Sequence, residues 1–189
     1  MKNIEYIKNG GKNMKKILSI AVCFVVVLCL ANCGSGAAIN YNDQIVDYQG
    51  KIIEKMLALS DTFQQNNPGV MDAKLKALQL QIDESLAGIK QMKDFKGNIR
   101  LRDGAIALFE FYQSIASTEY PEIINILSLG VENITDGDRQ RLLDIQKDIT
   151  EREAQFDNEL QAAQKEFAMV YGIDIKGNKY QEQIDKLGK

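Results

Sequence analysis

The sequence predicts an all-α protein, folded as an antiparallel up-down-up-down four-helix bundle with long helices. Apolar residues recur at steps of three and four along four long segments, which is the spacing of one helix face. The connections between the segments are short and contain Gly, Pro or Asn. No stretch of useful length alternates between apolar and polar residues as a strand would. Long amphipathic helices with short connections bury their stripes best as antiparallel neighbours.

The first predicted helix covers residues 42–66, and Asn42 or Asp43 supplies the side-chain oxygen that caps its free backbone N–H groups. Ile53 and Leu57 widen its apolar stripe. The members of that stripe are Ile45, Ile52, Met56, Leu59 and Phe63. The Asn-Asn-Pro-Gly sequence at 66–69 predicts a turn, because proline cannot continue a hydrogen-bonded helix.

The second predicted helix covers residues 70–93 and has a continuous apolar seam. The seam consists of Met71, Leu75, Leu78, Ile82, Leu86, Ile89 and Met92. Polar and charged residues occupy much of the remaining surface, as expected for a helix with one buried face. Gly97 predicts the stop of this pattern and Asn98 the cap of the next helix.

The third predicted helix covers residues 99–129, and Pro121 interrupts it. Its inner face consists of Ile106, Phe109, Tyr112, Ile115 and Ala116, followed by Tyr120, Ile123, Ile124 and Leu127. Because proline lacks a backbone donor and its ring clashes with the preceding turn, we expect a kink near Pro121, between Ser117 and Tyr120, or a split into two helices.

The fourth predicted helix covers residues 136–171 and ends at Gly172. Thr135 and Asp138 have the spacing of a capping box, with Asp in the place of the usual Glu. The predicted buried stripe is Leu142, Ile145, Ile149, Phe156, Leu160, Ala163, Phe167 and Val170. Residues 42–172 thus form the bundle, and residues 173–189 form a polar tail that carries lysines.

The longest apolar run of the chain, residues 17–30, lies before all of these helices. Lys15 and Lys16 precede it, and small or modest residues lead from it to Cys33. This order is typical of a secretory signal, and the run is short for a membrane span. A buried core helix or a retained anchor helix is the alternative, although the uncharged residues 34–38 differ from the positive flank of an anchor.

The end of the run, Leu30-Ala31-Asn32-Cys33, closely resembles the lipobox of a bacterial lipoprotein signal peptide. The resemblance implies cleavage of residues 1–32 and lipidation of Cys33, with residues 33–41 as the lipidated cysteine and a short tether. Residues 1–13 are partly acidic, so Met14 is the alternative translation start. In its Asn-Tyr-Asn-Asp opening at 40–43 and its four long helices, the mature part resembles uncharacterised helical-bundle surface lipoproteins.

Charge and residue usage exclude several classes of function. Without residues 1–32 the chain carries 18 basic and 25 acidic residues, a net charge of −7, which argues against a nucleic-acid partner. Two of the three cysteines are removed with residues 1–32 when the signal peptide is cleaved, so no disulfide is expected within the bundle. The chain has no histidine, the usual base for activating a serine or cysteine nucleophile.

Helical bundles hold di-metal sites with inward glutamates and Glu-x-x-His pairs, and a chain without histidine cannot complete that motif. Four glutamates could be considered as ligands of such a site, but they are predicted to lie mostly on polar, solvated faces: Glu54, Glu84, Glu110 and Glu153. No metal, cofactor or catalytic residue is therefore predicted. Phe109, Tyr112 and Tyr120 form an aromatic group near Pro121 that lines a ligand pocket or, alternatively, belongs to the core.

The sequence therefore predicts a non-enzymatic binding module, anchored in a bacterial membrane by lipid on Cys33 and exposed at the outer membrane or the cell surface. Its expected partners are the membrane lipid and an envelope or extracellular protein. In an up-down bundle the loops at 66–69 and 130–136 lie far from the anchor, and the partner is expected there. The alternative is a small-ligand-binding bundle with a pocket near Phe109, Tyr112 and Tyr120.

Overall fold

The computed structural model of the chain describes residues 36–65 and 67–174, and these residues are almost entirely helical. The five helices are α1 Gly36–Ser60, α2 Pro68–Gln91, α3 Arg100–Ser117, α4 Glu119–Leu127 and α5 Asp136–Tyr171. Within these ranges no strand is present, and a single isolated bridge joins Phe95 to Asn98 in the α2–α3 connection. The all-α prediction is confirmed. The predicted signal peptide, residues 1–32, and most of the predicted polar tail, residues 173–189, lie outside the described residues.

The helices pack around one hydrophobic core. The most extensive contacts join α1 to α2, α2 to α3 and α3 to α5, while α4 contacts α2, α3 and α5. The predicted stripes of α1 and α2 are buried there, including Ile52, Leu59, Leu78 and Ile82, which have no measurable exposure. No helix in the described part of the chain is long and apolar enough to cross a bilayer.

Helix α1 begins at Gly36, six residues before the predicted start at Asn42. The Gly-Ser-Gly-Ala-Ala sequence suggests a flexible tether, but alanine favours helix and Ala38 packs into the core with 1% exposure. The helix also ends earlier than predicted, at Ser60. Phe63 remains buried in the turns that follow, where the Thr62 hydroxyl donates to the Leu59 carbonyl at 2.6 Å.

The segment predicted as one helix over 99–129 consists of α3 and α4, separated at Thr118. Thr118 has φ −122° and ψ −68°, outside the helical region. Pro121 is the third residue of α4. Because the first N–H groups of a helix have no intrahelical acceptor, a proline at this position removes no helical hydrogen bond.

Helix α5 has the predicted bounds and the predicted caps. Asp138 N–H donates to the Thr135 hydroxyl at 3.2 Å, and Thr135 N–H donates to Asp138 Oδ2 at 2.9 Å, which completes the capping box. Gly172 ends the helix with φ 63°, the left-handed conformation that glycine adopts without strain. The assignment of Val170 to the buried stripe is wrong, because its side chain is 62% exposed.

Four aromatic rings bring three separate parts of the chain together at one end of the protein. They are Tyr41 near the start of α1, Phe95 in the α2–α3 connection, and Phe167 and Tyr171 at the end of α5. Neighbouring ring centroids lie 4.6 to 5.7 Å apart, within the range of favourable aromatic pairs. We call this cluster the aromatic end.

Candidate functional site

The inner face of α5 carries three buried polar side chains. Glu153 is 1% exposed, Asp157 is 3% exposed and Gln164 is 5% exposed. They follow Ile149 at steps of four, four and seven, so they lie on the same helix face as the buried apolar residues. Glu153 is the exception to the prediction that four glutamates lie mostly on solvated faces, because it lies inside the protein. The other three glutamates of that group are exposed: Glu54, Glu84 and Glu110.

Tyr112 on α3 holds Glu153. Its hydroxyl donates a hydrogen bond to Glu153 Oε1 at 3.1 Å, and Tyr112 is itself 1% exposed. Burial raises the pKa of the Tyr112 phenol well above its usual value, and the nearby carboxylates of Glu153 and Asp157 raise that pKa further. The phenol therefore stays protonated at physiological pH and acts as a donor to the carboxylate.

Tyr120 on α4 lies in the same electrostatic environment. Its side chain has no measurable exposure, and its hydroxyl makes no hydrogen bond to the described residues. Burial raises the pKa of this phenol well above its usual value, with a further contribution from the charge of Glu153. The two predicted tyrosines thus lie around one buried carboxylate.

Asp157 lies one turn after Glu153 and is incompletely hydrogen-bonded. Gln161 Nε2 donates to its Oδ2 at 2.6 Å, while its Oδ1 is buried without a hydrogen-bond partner in the described part of the chain. Burial raises the pKa of the Asp157 carboxyl from 3.8 to about 6. This carboxyl therefore titrates near neutral pH.

Helix α1 contributes two buried amides, Asn42 and Gln49, and the first of them bonds to α5. Gln164 Nε2 donates to Asn42 Oδ1 at 2.9 Å, a buried hydrogen bond between residues that are far apart in the sequence. Gln49 lies two turns further along α1 and is 1% exposed. Neither the amide nitrogen nor the amide oxygen of Gln49 has a hydrogen-bond partner among the described residues. Buried polar atoms without partners are uncommon in folded proteins.

The predicted aromatic pocket residues are all buried. Phe109 has no measurable exposure, and neither has Tyr120. The structure brings Tyr112 and Tyr120 together around Glu153, whereas Phe109 belongs to the apolar core. Across residues 36–65 and 67–174, no group of three or more carboxylate, cysteine or histidine side chains is placed to hold a metal ion.

A polar groove of about 430 Å³ runs along the surface between α2 and α3. Hydrogen bonds span it: Gln113 Nε2 donates to Asp83 Oδ1 at 2.7 Å, and Gln79 Nε2 donates to the Ala116 carbonyl at 2.7 Å. Its lining also includes Glu110. Because its polar side chains already bond to one another across the helices, the groove is explained by helix packing.

Exposed apolar side chains mark the connection between α4 and α5. Leu129 is 47% exposed and Val131 is 48% exposed. Asn133 orders this turn, because its N–H donates to the Gly130 carbonyl at 2.9 Å and its side chain donates to the Leu129 carbonyl at 2.8 Å. A hydrogen-bonded turn thus presents two apolar side chains to solvent.

No protein-family model, curated protein or solved structure matches this chain. Its functional residues are therefore identified from their own geometry. Cys33, the predicted lipidation site, lies outside the described residues.

Proposed function

We propose that this chain is a lipid-anchored protein of the bacterial cell envelope that acts as a non-enzymatic binding module. The observation that carries the proposal is the sequence of residues 14–33, with its two lysines, its apolar run and its lipobox-like end at Cys33. Helix α1 begins at Gly36, three positions after that cysteine. Three residues span at most about 11 Å, so a lipid on Cys33 holds the helices close to the bilayer.

The helices are proposed to run up-down-up-down. Two contacts support this order for α2 and α3: Lys90 Nζ lies 2.7 Å from Glu110 Oε1, and Gln79 Nε2 donates to the Ala116 carbonyl. Lys90 near the end of α2 meets Glu110 in the middle of α3, whereas Gln79 in the middle of α2 meets Ala116 near the end of α3. The partner thus moves toward the end of α3 as α2 is followed back toward its start, as in an antiparallel pair. In this arrangement the aromatic end lies near the anchor, and the α4–α5 connection lies at the other end.

The proposed binding surface is the turn at the far end, around Leu129 and Val131. Exposed apolar side chains on an ordered turn suit contact with another protein, because association removes them from water. The partner is proposed to be an envelope or extracellular protein. The net charge of −7 without residues 1–32 disfavours nucleic acid.

The absence of histidine from the chain supports a non-enzymatic role. The carboxyl groups with the most unusual environment, Glu153 and Asp157, are enclosed by the helices and at most 3% exposed. A catalytic acid or base must reach a substrate atom at hydrogen-bond distance. Their burial therefore favours a role within the folded protein.

The second candidate is a bundle that binds a small polar ligand in its interior. The buried atoms without hydrogen-bond partners favour it: the amide of Gln49, Oδ1 of Asp157 and the hydroxyl of Tyr120. A bound molecule with donors and acceptors would satisfy these groups. Native mass spectrometry of protein isolated from its own bacterium tests this candidate. A retained small molecule that Tyr120→Phe loses would support it, and a mass equal to that of the chain and its lipid would reject it.

The proposed anchor is tested by cell fractionation of the full chain and of Cys33→Ser. We expect the unchanged chain in the membrane fraction and in the detergent phase, and accumulation of the uncleaved precursor for Cys33→Ser. Equal processing of both chains would reject the proposal. Protease treatment of intact cells then tests exposure at the cell surface, where digestion only after the outer membrane is broken would indicate a periplasmic location.

The proposed binding surface is tested with a photo-crosslinking residue at Val131 in living cells. Leu80 is the matched control, because it is 61% exposed and lies in the middle of α2. We expect a discrete crosslinked envelope protein from Val131 and none from Leu80. Identical crosslinking patterns at both positions would reject this surface.

A further inference from the structure

The aromatic end carries exposed apolar side chains. Met169 is 78% exposed, Val170 is 62% exposed and Ile99 is 50% exposed. Met169 and Val170 occupy the last turn of α5, and Ile99 precedes the first residue of α3. Scattered exposed apolar residues are ordinary, but three at one end of a helical protein form a surface that requires an explanation.

An ion pair joins the two segments that carry these residues. Arg100 at the start of α3 bonds to Glu166 on α5. Ile99 is adjacent to Arg100, and Val170 follows Glu166 by one helical turn, on the same side of α5. The start of α3 therefore lies against the last turns of α5, so Ile99 and Val170 belong to neighbouring segments at one end of the protein.

Aromatic and basic groups border this apolar surface. The Tyr171 hydroxyl donates to the Phe95 carbonyl at 3.1 Å, which ties the end of α5 to the α2–α3 connection. Lys96 Nζ lies 5.6 Å from the centre of the Phe95 ring and 6.0 Å from that of Tyr171. Lys93 is exposed in the same connection. Tyrosines and lysines beside apolar residues are typical of protein surfaces at the membrane–water interface.

We propose that the aromatic end lies on the bilayer, with Ile99, Met169 and Val170 inserted at the level of the lipid headgroups. This inference rests on the proposed function, because it takes Cys33 as the lipid anchor. Helix α1 begins three residues after Cys33 and contributes Tyr41 to the aromatic end, so the anchor and this surface lie at the same end. Apolar side chains of interfacial helices insert about 5–10 Å into the headgroup region.

This contact fixes the orientation of the helices relative to the membrane, which a lipid on Cys33 would not do alone. Two acyl chains are enough for stable anchoring, so the apolar contact contributes orientation to an anchor that already holds the chain. The orientation also directs the turn at Leu129 and Val131 away from the bilayer. The lipid surface thereby determines which part of the protein a partner meets.

The test uses single cysteines in the lipidated chain. Cys33 carries the lipid and the other two cysteines leave with residues 1–32, so an introduced cysteine is the unique reactive thiol. Ile99→Cys and Met169→Cys report on the proposed surface. The matched controls are Leu80→Cys and Leu143→Cys, which replace side chains that are 61% and 42% exposed. Each thiol receives a fluorophore in vesicles of phosphatidylethanolamine and phosphatidylglycerol, with a quencher on the lipid chains near the headgroups.

We expect the fluorophores at positions 99 and 169 to lose most of their fluorescence and those at 80 and 143 to keep theirs. Equal quenching at all four positions would overturn the proposal. A crosslink between two copies through Met169→Cys, without quenching, would assign the surface to a dimer and also overturn it.

A second variant tests the apolar contact itself. Val170→Glu, combined with the fluorophore at position 99, is expected to restore most of the lost fluorescence, because a charged side chain does not enter the interface readily. Leu80→Glu is the matched control and is expected to leave the quenching at position 99 unchanged. Persistent quenching in Val170→Glu would overturn the proposal.

The mass of the protein in the same vesicles separates this proposal from the proposed function. A lipidated Cys33 without quenching would retain the anchor and reject the membrane-contacting surface. Stronger quenching in the 99 and 169 variants than in the 80 and 143 variants, with an unmodified Cys33, would retain the surface and reject the lipid anchor, because a fluorophore on a free Cys33 is common to all four variants.

Discussion

The Tyr112 hydroxyl donates a hydrogen bond to Glu153 Oε1 over 3.1 Å, and both side chains are 1% exposed. This bond joins α3 to α5 within the core. A buried carboxylate is costly without hydrogen bonds, so the phenol offsets part of the cost of placing Glu153 there. The pair is a buried polar contact between α3 and α5.

Tyr112→Phe is expected to destabilise the protein by about 1–3 kcal/mol, because Glu153 then loses the hydrogen bond from the phenol. Tyr120→Phe is the matched control, since the Tyr120 hydroxyl is equally buried and has no hydrogen-bond partner in the described part of the chain. It is expected to leave stability unchanged or to increase it. Urea unfolding of both variants provides the measurement, and equal losses would contradict the assigned roles.

Asp157 is expected to make stability depend on pH. Its pKa is about 6 in the folded chain and 3.8 when unperturbed, so the folded state binds the proton more tightly than the unfolded state. The stabilisation from its neutral form is complete below pH 3.8 and is lost as pH rises to about 6. Other carboxyl groups also titrate in this range, so the variant must be compared with the unchanged chain.

Asp157→Asn removes this titration. The variant is expected to gain about 2 kcal/mol of stability over the unchanged chain at pH 7.5, allowing for solvent screening, and to lose that advantage near pH 4. Denaturant unfolding at a series of pH values measures the difference. A difference that stays constant from pH 4 to 7.5 would show that Asp157 has an ordinary pKa.

Gly88 on α2 permits the close approach of α1. A Cβ at this position would lie 2.5 Å from the ring of Tyr48, so Gly88→Ala forces the ring or the helix to move. We expect a loss of about 1–3 kcal/mol, the usual cost of overpacking. Gly104→Ala on α3 is the control. Its Cβ would have ordinary contacts of 3.6 Å, and alanine favours helix, so this variant is expected to gain up to about 1 kcal/mol.

Thr135→Ala is expected to cost about 1 kcal/mol, because the first turn of α5 loses its side-chain cap. Thr135→Ser keeps the hydroxyl that accepts from Asp138 N–H and is expected to remain close to the unchanged chain. Thermal unfolding of the two variants provides the comparison. Similar losses in both would indicate that the threonine methyl group matters and that the capping hydroxyl does not.

The sequence predicts the stripes of the helices well, because apolar periodicity and packing agree along most of the chain. The ends of α5 were also predictable, since Thr135, Asp138 and Gly172 each satisfy a defined backbone requirement. The start of α1 was not, because Gly34 to Gly36 indicate a linker while the burial of Ala38 decides the outcome.

The buried polar site was only partly predictable. Tyr112 and Tyr120 were predicted as a group, but Glu153 and Asp157 were not placed inside, because carboxylates usually lie on solvated faces. Their spacing from Ile149 indicates that they share the buried face. Periodicity alone does not reveal that the Tyr112 hydroxyl donates a hydrogen bond to Glu153. Val170 follows the apolar stripe but lies in the last turn of α5, where none of the described helices covers it.

The lipid anchor on Cys33 is tested by the mass of the N-terminal peptide of the chain extracted from its own membranes. We predict a peptide that begins at Cys33 and carries a diacylglyceryl group on the sulfur. A peptide that contains residues before Cys33, or one that begins at Cys33 without added lipid, would contradict the account.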